Sequence, residues 1–187
     1  MNSFTSLAKE AVENYIKEGK IISPPKNLPA EFYQKKAGVF VTIEKGGQLR
    51  GCIGTYLPTK ENIAAEIISN AIVAATEDYR FGPIQKEELP HLVYIVYILG
   101  KPELISSVDD LDPKKFGIII KSQGFKAGSD AIFNTAPKVY QKSGLLLPDL
   151  KGINTTEEQI AIACQKAGIN PEKEKILIYR FTAEKYD

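Results

Sequence analysis

The sequence predicts an α+β fold, a mainly antiparallel β-sheet flanked by helices. Two kinds of local pattern carry this reading. Val39, Val41 and Ile43 alternate with Phe40 and Thr42, and a Gly46-Gly47 pair follows, which is the signature of a strand entering a hairpin. Three other stretches carry apolar residues at helical spacing, and hairpins mixed with long helices favour an antiparallel sheet.

The elements follow in order. Ser3 is a candidate cap for a first helix over about Thr5–Ile16, with Leu7, Ala8, Ala11 and Tyr15 on its apolar stripe. Ile21 to Pro29 is proline-rich and reads as an extended linker. The hairpin strands are Gly38–Glu44 and Gln48–Tyr56. Thr59 is a candidate cap for a second helix, Lys60–Thr76, with Ile63, Ile67, Ile68, Ala71, Ala74 and Ala75 on a wide apolar face. Leu92–Leu99 is rich in β-branched and aromatic residues and reads as a strand. Asp109–Lys115 reads as a short helix and Gly117–Lys121 as a short strand. Gln123–Ser143 lacks a period and reads as a mobile loop. Leu145-Leu146-Leu147 is an apolar element stopped by Pro148. Thr155 or Thr156 caps a third helix that Gly168 ends, and Ile176–Ala183 is a last strand.

The chain has 187 residues, a length suited to one domain or to one domain with a small annex. Lysine and arginine total 24 and aspartate and glutamate 23, so no basic field is present to grip a phosphate backbone, and no nucleic-acid partner is expected. No apolar run approaches a membrane span, and no secretory signal is visible at the start, so the expected compartment is the cytoplasm. The two cysteines, Cys52 and Cys164, form no CxxC pattern, and the single histidine, His91, excludes a two-histidine metal site. No metal and no cofactor is expected.

The segment Arg50-Gly51-Cys52-Ile53-Gly54-Thr55 is the candidate site. In an extended strand Leu49, Ile53 and the Thr55 methyl share a face suited to the core, and Arg50, Cys52 and Gly54 share the other. Gly54 leaves space beside the sulfur, Gly51 lets another backbone come close, and Arg50 is placed to favour a thiolate or to hold an anion. Cys52 is thus a candidate nucleophile. The structural alternative is that Cys52 is a small core hydrophobe and the glycines mark a bulge. Cys164 lies on a helix stripe with Ile160 and Ala167 and reads as core. His91 reads as a surface histidine, with a role as base for Cys52 as the functional alternative. Asn62, Glu66 and Asn70 share one face of the second helix, extended by Glu77, which is either a solvated face or a pocket wall. Asp78 and Arg80 are either a helix-end ion pair, with Phe81 as a buried plug, or a polar patch facing Cys52.

At Leu49-Arg50-Gly51-Cys52-Ile53-Gly54-Thr55 the chain resembles AmmeMemoRadiSam system protein A, of the AMMECR domain family. Gly38–Thr42, Asn70-Ala71, Asp78-Tyr79-Arg80-Phe81, Glu88-Leu89-Pro90, Gly144–Asp149, Lys166–Ile169 and Tyr179-Arg180-Phe181 extend the likeness from about Phe4 to Tyr186. The resemblance implies one AMMECR-type domain over residues 1–187, with a larger lobe and a smaller appended subdomain. It also implies a cleft near the motif, in which Gly51, Gly54, Thr55, Asn70, Asp78 and Arg80 are candidate binding residues for an unknown small-molecule ligand. A Memo-type protein and a radical-SAM protein are the partners it implies. The chain lacks a C-x3-C-x2-C cluster motif and is not itself the radical-SAM component. Residues 124–143 make a longer link than the family's and read as an insertion. Two functions stand side by side: a cysteine-dependent enzyme on a small or modified substrate, and a non-catalytic binding or adaptor module of the same system.

Overall fold

The computed structural model describes residues 2–122 and 142–187. The chain forms two compact units, one of residues 1–101 with 183–187 and one of residues 102–182.

In the first unit, helix α1 spans Ser3–Glu18. Its cap is Asn2 rather than Ser3. The Asn2 backbone is extended, and its Oδ1 accepts the N–H groups of Phe4 and Thr5 at 3.0 and 3.1 Å. Gly19, at φ 67°, ends the helix in the left-handed region. The proline-rich stretch that follows has no helix or strand before the one-turn helix α2, Glu31–Gln34, which the sequence did not announce. Strands β1 (Val39–Lys45) and β2 (Gln48–Thr55) form the expected hairpin. Gly46 and Gly47 both have positive φ, as a two-residue turn of this hand requires.

Helix α3 spans Ile63–Thr76 and is capped by Asn62, whose Oδ1 accepts Ala65 N–H at 3.0 Å. Thr59, the expected cap, instead gives its N–H and hydroxyl to the Glu66 carboxylate. A 3-10 turn at Lys86–His91 leads into β3, Leu92–Leu99, as predicted. The sheet of this unit is antiparallel throughout. Its order is β2-β1-β3-β8, where β8 is Ala183–Tyr186. Val39, Val41 and Ile43 are fully buried in one core with Leu7, Ala11 and Val12 of α1 and Ala64 and Ile67 of α3.

Two expectations fail at the hairpin's turn end. Ile43 pairs with Gly51 while Glu44 pairs with Leu49, so Arg50 is the extra residue of a β-bulge. The bulge breaks the alternation, and Leu49 is 41% exposed instead of lying in the core.

The second unit has its own antiparallel sheet, in the order β4-β7-β5-β6. The strands are β4 (Glu103–Leu104), β5 (Gly117–Ser122), β6 (Ser143–Leu146) and β7 (Ile176–Phe181). The short helix expected at 109–115 is a 3-10 turn at Val108–Asp110 followed by a separate turn. Helix α4, Thr156–Ala167, is capped by Thr155 with Glu158 completing a capping box, and Gly168 ends it. Ile118, Ile120, Leu146, Ala163, Cys164 and Ile169 form its core. The last expected strand, Ile176–Ala183, is β7 over Ile176–Phe181, and Ala183 opens a further strand, β8, in the other sheet. Of the segment 123–143, residues 123–141 lie outside the described residues and Ser143 opens β6.

Candidate functional site

Within the Arg50–Thr55 motif, Gly51 and Thr55 meet α3, Arg50 and Cys52 meet the chain that leaves it, and Gly54 meets β1. At Gly51, a Cβ atom would stand 2.3 Å from the carbonyl oxygen of Ala74, so only glycine allows the last turn of α3 to lie on β2. Arg50 is held by Glu88: its Nε donates to Oε1 at 3.0 Å and its Nη2 to Oε2 at 2.9 Å. Its Nη1 also donates to the carbonyl of Gly82 at 2.9 Å. Lys45 adds a second ion pair to Glu88. The Arg50 hydrogen bonds, burial acting against them, and the Gln85 N–H and Lys45 together hold the Glu88 carboxyl down at about 2.

The backbone of Cys52 lies on the outer edge of β2, and there Asp78 and Arg80 take the place of a neighbouring strand. Cys52 N–H donates to Asp78 Oδ2 at 2.8 Å, and Arg80 Nη2 donates to the Cys52 carbonyl at 3.2 Å. Asp78 and Arg80 are also joined directly, Nε to Oδ1 at 2.9 Å and Nη2 to Oδ2 at 2.6 Å. Asp78 is 2% exposed. The Arg80 hydrogen bond, opposed by burial and helped by the Cys52 N–H, holds its carboxyl at about 2. Phe81, expected to be a buried plug, is half-buried, with the Arg80 guanidinium 5.5 Å from its ring centre.

Thr55 and Asn70 belong to a third cluster. Thr55 Oγ1 donates to Glu66 Oε1 at 2.7 Å, and Asn70 Nδ2 donates to the Val39 carbonyl at 2.9 Å. Glu66 is fully buried and also accepts the N–H groups of Thr59 and Lys60, each at 2.7 Å. Burial works to raise its carboxyl, but the hydrogen bonds from Thr55, Thr59 and Lys60 outweigh it and the net shift is downward. Glu66 and Asn70 are therefore neither a solvated face nor a pocket wall. They fasten α3 to the sheet from inside.

The Cys52 side chain is partly exposed on the face of β2 opposite α3. Thr42, its cross-strand partner, donates its hydroxyl to Sγ at 3.1 Å. The space beside Gly54 is filled: a Cβ there would stand 2.3 Å from Cγ of Phe40. The Arg80 guanidinium is raised first by its hydrogen bond to Asp78, against burial, with a smaller push from Cys52. His91 is exposed at the end of the 3-10 turn, one residue before Leu92, which pairs with Lys45 three positions along β1 from Thr42. The structure thus brings Arg50, Gly51, Cys52, Asp78 and Arg80 together along the β2 edge and puts Thr55 and Asn70 in the α3 anchor. Sequence reasoning missed Glu88 and Thr42. The alternation that places Thr42 with Phe40 was a usable signal for the latter. Glu88, 38 residues from Arg50, stood out only as part of the Glu88-Leu89-Pro90 element, with no role attached to it. Among the described residues no group of three or more His, Cys, Asp or Glu side chains is placed to hold a metal ion, and no helix is long and apolar enough to cross a membrane.

A helix-backed antiparallel sheet with an Arg-Gly-Cys edge strand clamped by an Asp-x-Arg pair defines an α+β protein of a specific kind. The family model AMMECR1 matches residues 5–186, and the chain belongs to the AMMECR1 family. A protein of Thermotoga maritima is 45% identical over 184 residues, covering 98% of this chain and 96% of its own. A Clostridium acetobutylicum protein is 39% identical over 98% of this chain, which spans only 34% of that longer relative. The crystal structure of an uncharacterised protein from Pyrococcus horikoshii superposes with a TM-score of 0.81 at 35% identity, covering 97% of this chain and 88% of that one.

Proposed function

We propose that this protein is a non-catalytic binding module of a modification system, that it presents the Cys52 face to a small ligand or partner, and that a Memo-type protein and a radical-SAM protein are its partners. The observation that supports this reading is the commitment of the motif's ionisable groups. Arg50 is spent on Glu88 and two carbonyls, Asp78 on Arg80 and Cys52 N–H, and Glu66 on the 55–60 segment. A general base must reach the proton that it removes, and these carboxylates are occupied elsewhere. The Clostridium relative, in which this domain is a third of the chain, is in keeping with a module that works beside other parts.

The second reading, a cysteine-dependent enzyme, is favoured by the Thr42 hydroxyl on Sγ and by the electrostatic coupling of Arg80 to Cys52. Both interactions strengthen as negative charge gathers on sulfur.

One experiment separates them. The protein is combined with a Memo-type and a radical-SAM protein from one organism, and complex formation and turnover are followed for the wild type and Cys52→Ser. The binding-module reading expects Cys52→Ser to keep both association and system activity. Association kept with turnover lost makes Cys52 catalytic. No association with either protein removes the partner assignment.

A further inference from the structure

Helix α3 is polar on the wrong side for a surface helix. Its one charged residue, Glu66, and its one amide, Asn70, are buried against the sheet. Its outward side holds Ala65, Ser69 and Val73, flanked by Ile68 and Ile72. A helix on a protein surface ordinarily carries its charges outward. This outer side is the floor of a groove of about 360 Å³. Tyr15, at the end of α1, and Ile21 and Ile22, from the proline-rich stretch, form its wall. Ile21 is 66% exposed although it is a large apolar residue.

Two charges line the groove, Lys60 just before α3 and Glu77 just after it. The 14-residue helix separates them by about 21 Å at 1.5 Å per residue. Ile68 and Ser69 lie midway. A positive end, an apolar middle and a negative end make a surface that complements itself when turned by 180° about that midpoint. Lys60 of one copy then meets Glu77 of the other at both ends, and the apolar middles meet at the axis. This is the condition for an isologous two-fold contact.

We propose that the outer face of α3 is a self-association surface, and that a second copy of this chain lies antiparallel across it. The contact removes Ile21 and the partly exposed Ala65, Ser69 and Val73 from water and closes two Lys60–Glu77 pairs across the axis. This goes beyond the binding-module reading and does not depend on it.

Sedimentation equilibrium of the full chain tests the proposal. The wild type should be a reversible dimer. Ser69→Arg sets two guanidinia against each other at the axis and should give a monomer, with the wild-type melting temperature when both are melted at a concentration too low for the dimer to form. Lys60→Glu and Glu77→Lys each create two like-charge contacts, and each alone should weaken the dimer about tenfold. Mixed in equal amounts, the two single variants should recover wild-type affinity as a heterodimer, because every cross-axis pair is again of opposite sign. A wild-type chain that stays monomeric up to about 1 mM overturns the proposal. So does a dimer that Ser69→Arg leaves intact, or a mixture of the single variants that regains nothing.

Discussion

The buried carboxylate of Asp78 accepts the backbone N–H of Cys52 at 2.8 Å, so the segment leaving α3 is sewn to the edge of β2 at the motif cysteine. The same side chain neutralises Arg80, which reaches the carbonyl of Cys52. One aspartate thus serves as a strand partner, an ion-pair partner and an exit for α3.

Asp78→Ala should therefore cost more than Arg80→Ala. The alanine leaves a strand N–H without its acceptor and a guanidinium without its counter-ion, a loss on the order of 2–4 kcal/mol. Arg80 is 40% exposed at its side chain, and its removal should cost less. Asp78→Asn retains an acceptor and should fall between wild type and alanine. Urea unfolding of the three variants gives the order directly. Phe81→Ala should cost about 1–2 kcal/mol, below the usual loss for a fully buried aromatic, because the ring is only half-buried.

Acid should unfold the protein through two carboxylates. Asp78 and Glu88 each titrate at about 2 in the folded chain, below their ordinary values of 3.8 and 4.5. A lowered folded-state value contributes stability above the unfolded value, and this is lost as pH falls through it toward the folded one. Melting temperature should hold down to about pH 4.5 and fall steeply between there and pH 2. Glu88→Gln should start lower at neutral pH and show a shallower fall. An acid limb of unchanged slope would assign the loss to other groups.

Gly51→Ala and Gly82→Ala make a matched pair. The first places a methyl 2.3 Å from the Ala74 carbonyl, where backbone must move, and should cost roughly 1–3 kcal/mol. The second meets nothing within 4 Å and has no left-handed backbone, so it should be near neutral. Thermal melts of both variants check the contrast.

Cys52 should be alkylated faster than Cys164 in the native protein. Cys52 is partly exposed, whereas Cys164 is 2% exposed and burial pushes its thiol up. Arg80→Gln should slow the Cys52 reaction more than Arg50→Gln does, because Arg80 reaches the Cys52 carbonyl whereas Arg50 is held by Glu88. Mass spectrometry of timed reactions distinguishes the two thiols. A Cys52 that labels only after unfolding would make it a packing residue.

The local patterns in the chain predicted what neighbours in sequence decide. The Val39–Ile43 alternation and Gly46-Gly47 gave the hairpin, and the stripes of α1, α3 and α4 gave the helices. What stayed hidden depends on contacts between distant residues. The bulge at Arg50 follows from pairing with β1 and exposes Leu49, which period-two counting had put inside. Phe40 closes the space beside Gly54 from the next strand. Arg50 looked like the partner of the thiol two residues away, yet Glu88 and two carbonyls hold it, and it is Arg80 that reaches the Cys52 carbonyl. Inward-facing Glu66 and Asn70 broke the rule that polar residues mark the wet side of a helix, because the 55–60 segment and the Val39 carbonyl supply their partners.

Strand β8 pairs with β3, but the whole of residues 102–182 comes between them in the chain. A ribosome making this protein delivers β1, β2 and β3 first, and the residues that complete their sheet come about 80 positions later, a delay of roughly 4–16 s at ordinary elongation rates. During that interval the edge formed by Val96 to Leu99 has no strand beside it. Such an edge is a template for pairing with another nascent chain, so slow synthesis across residues 102–182 lengthens the period in which the newborn protein is open to aggregation.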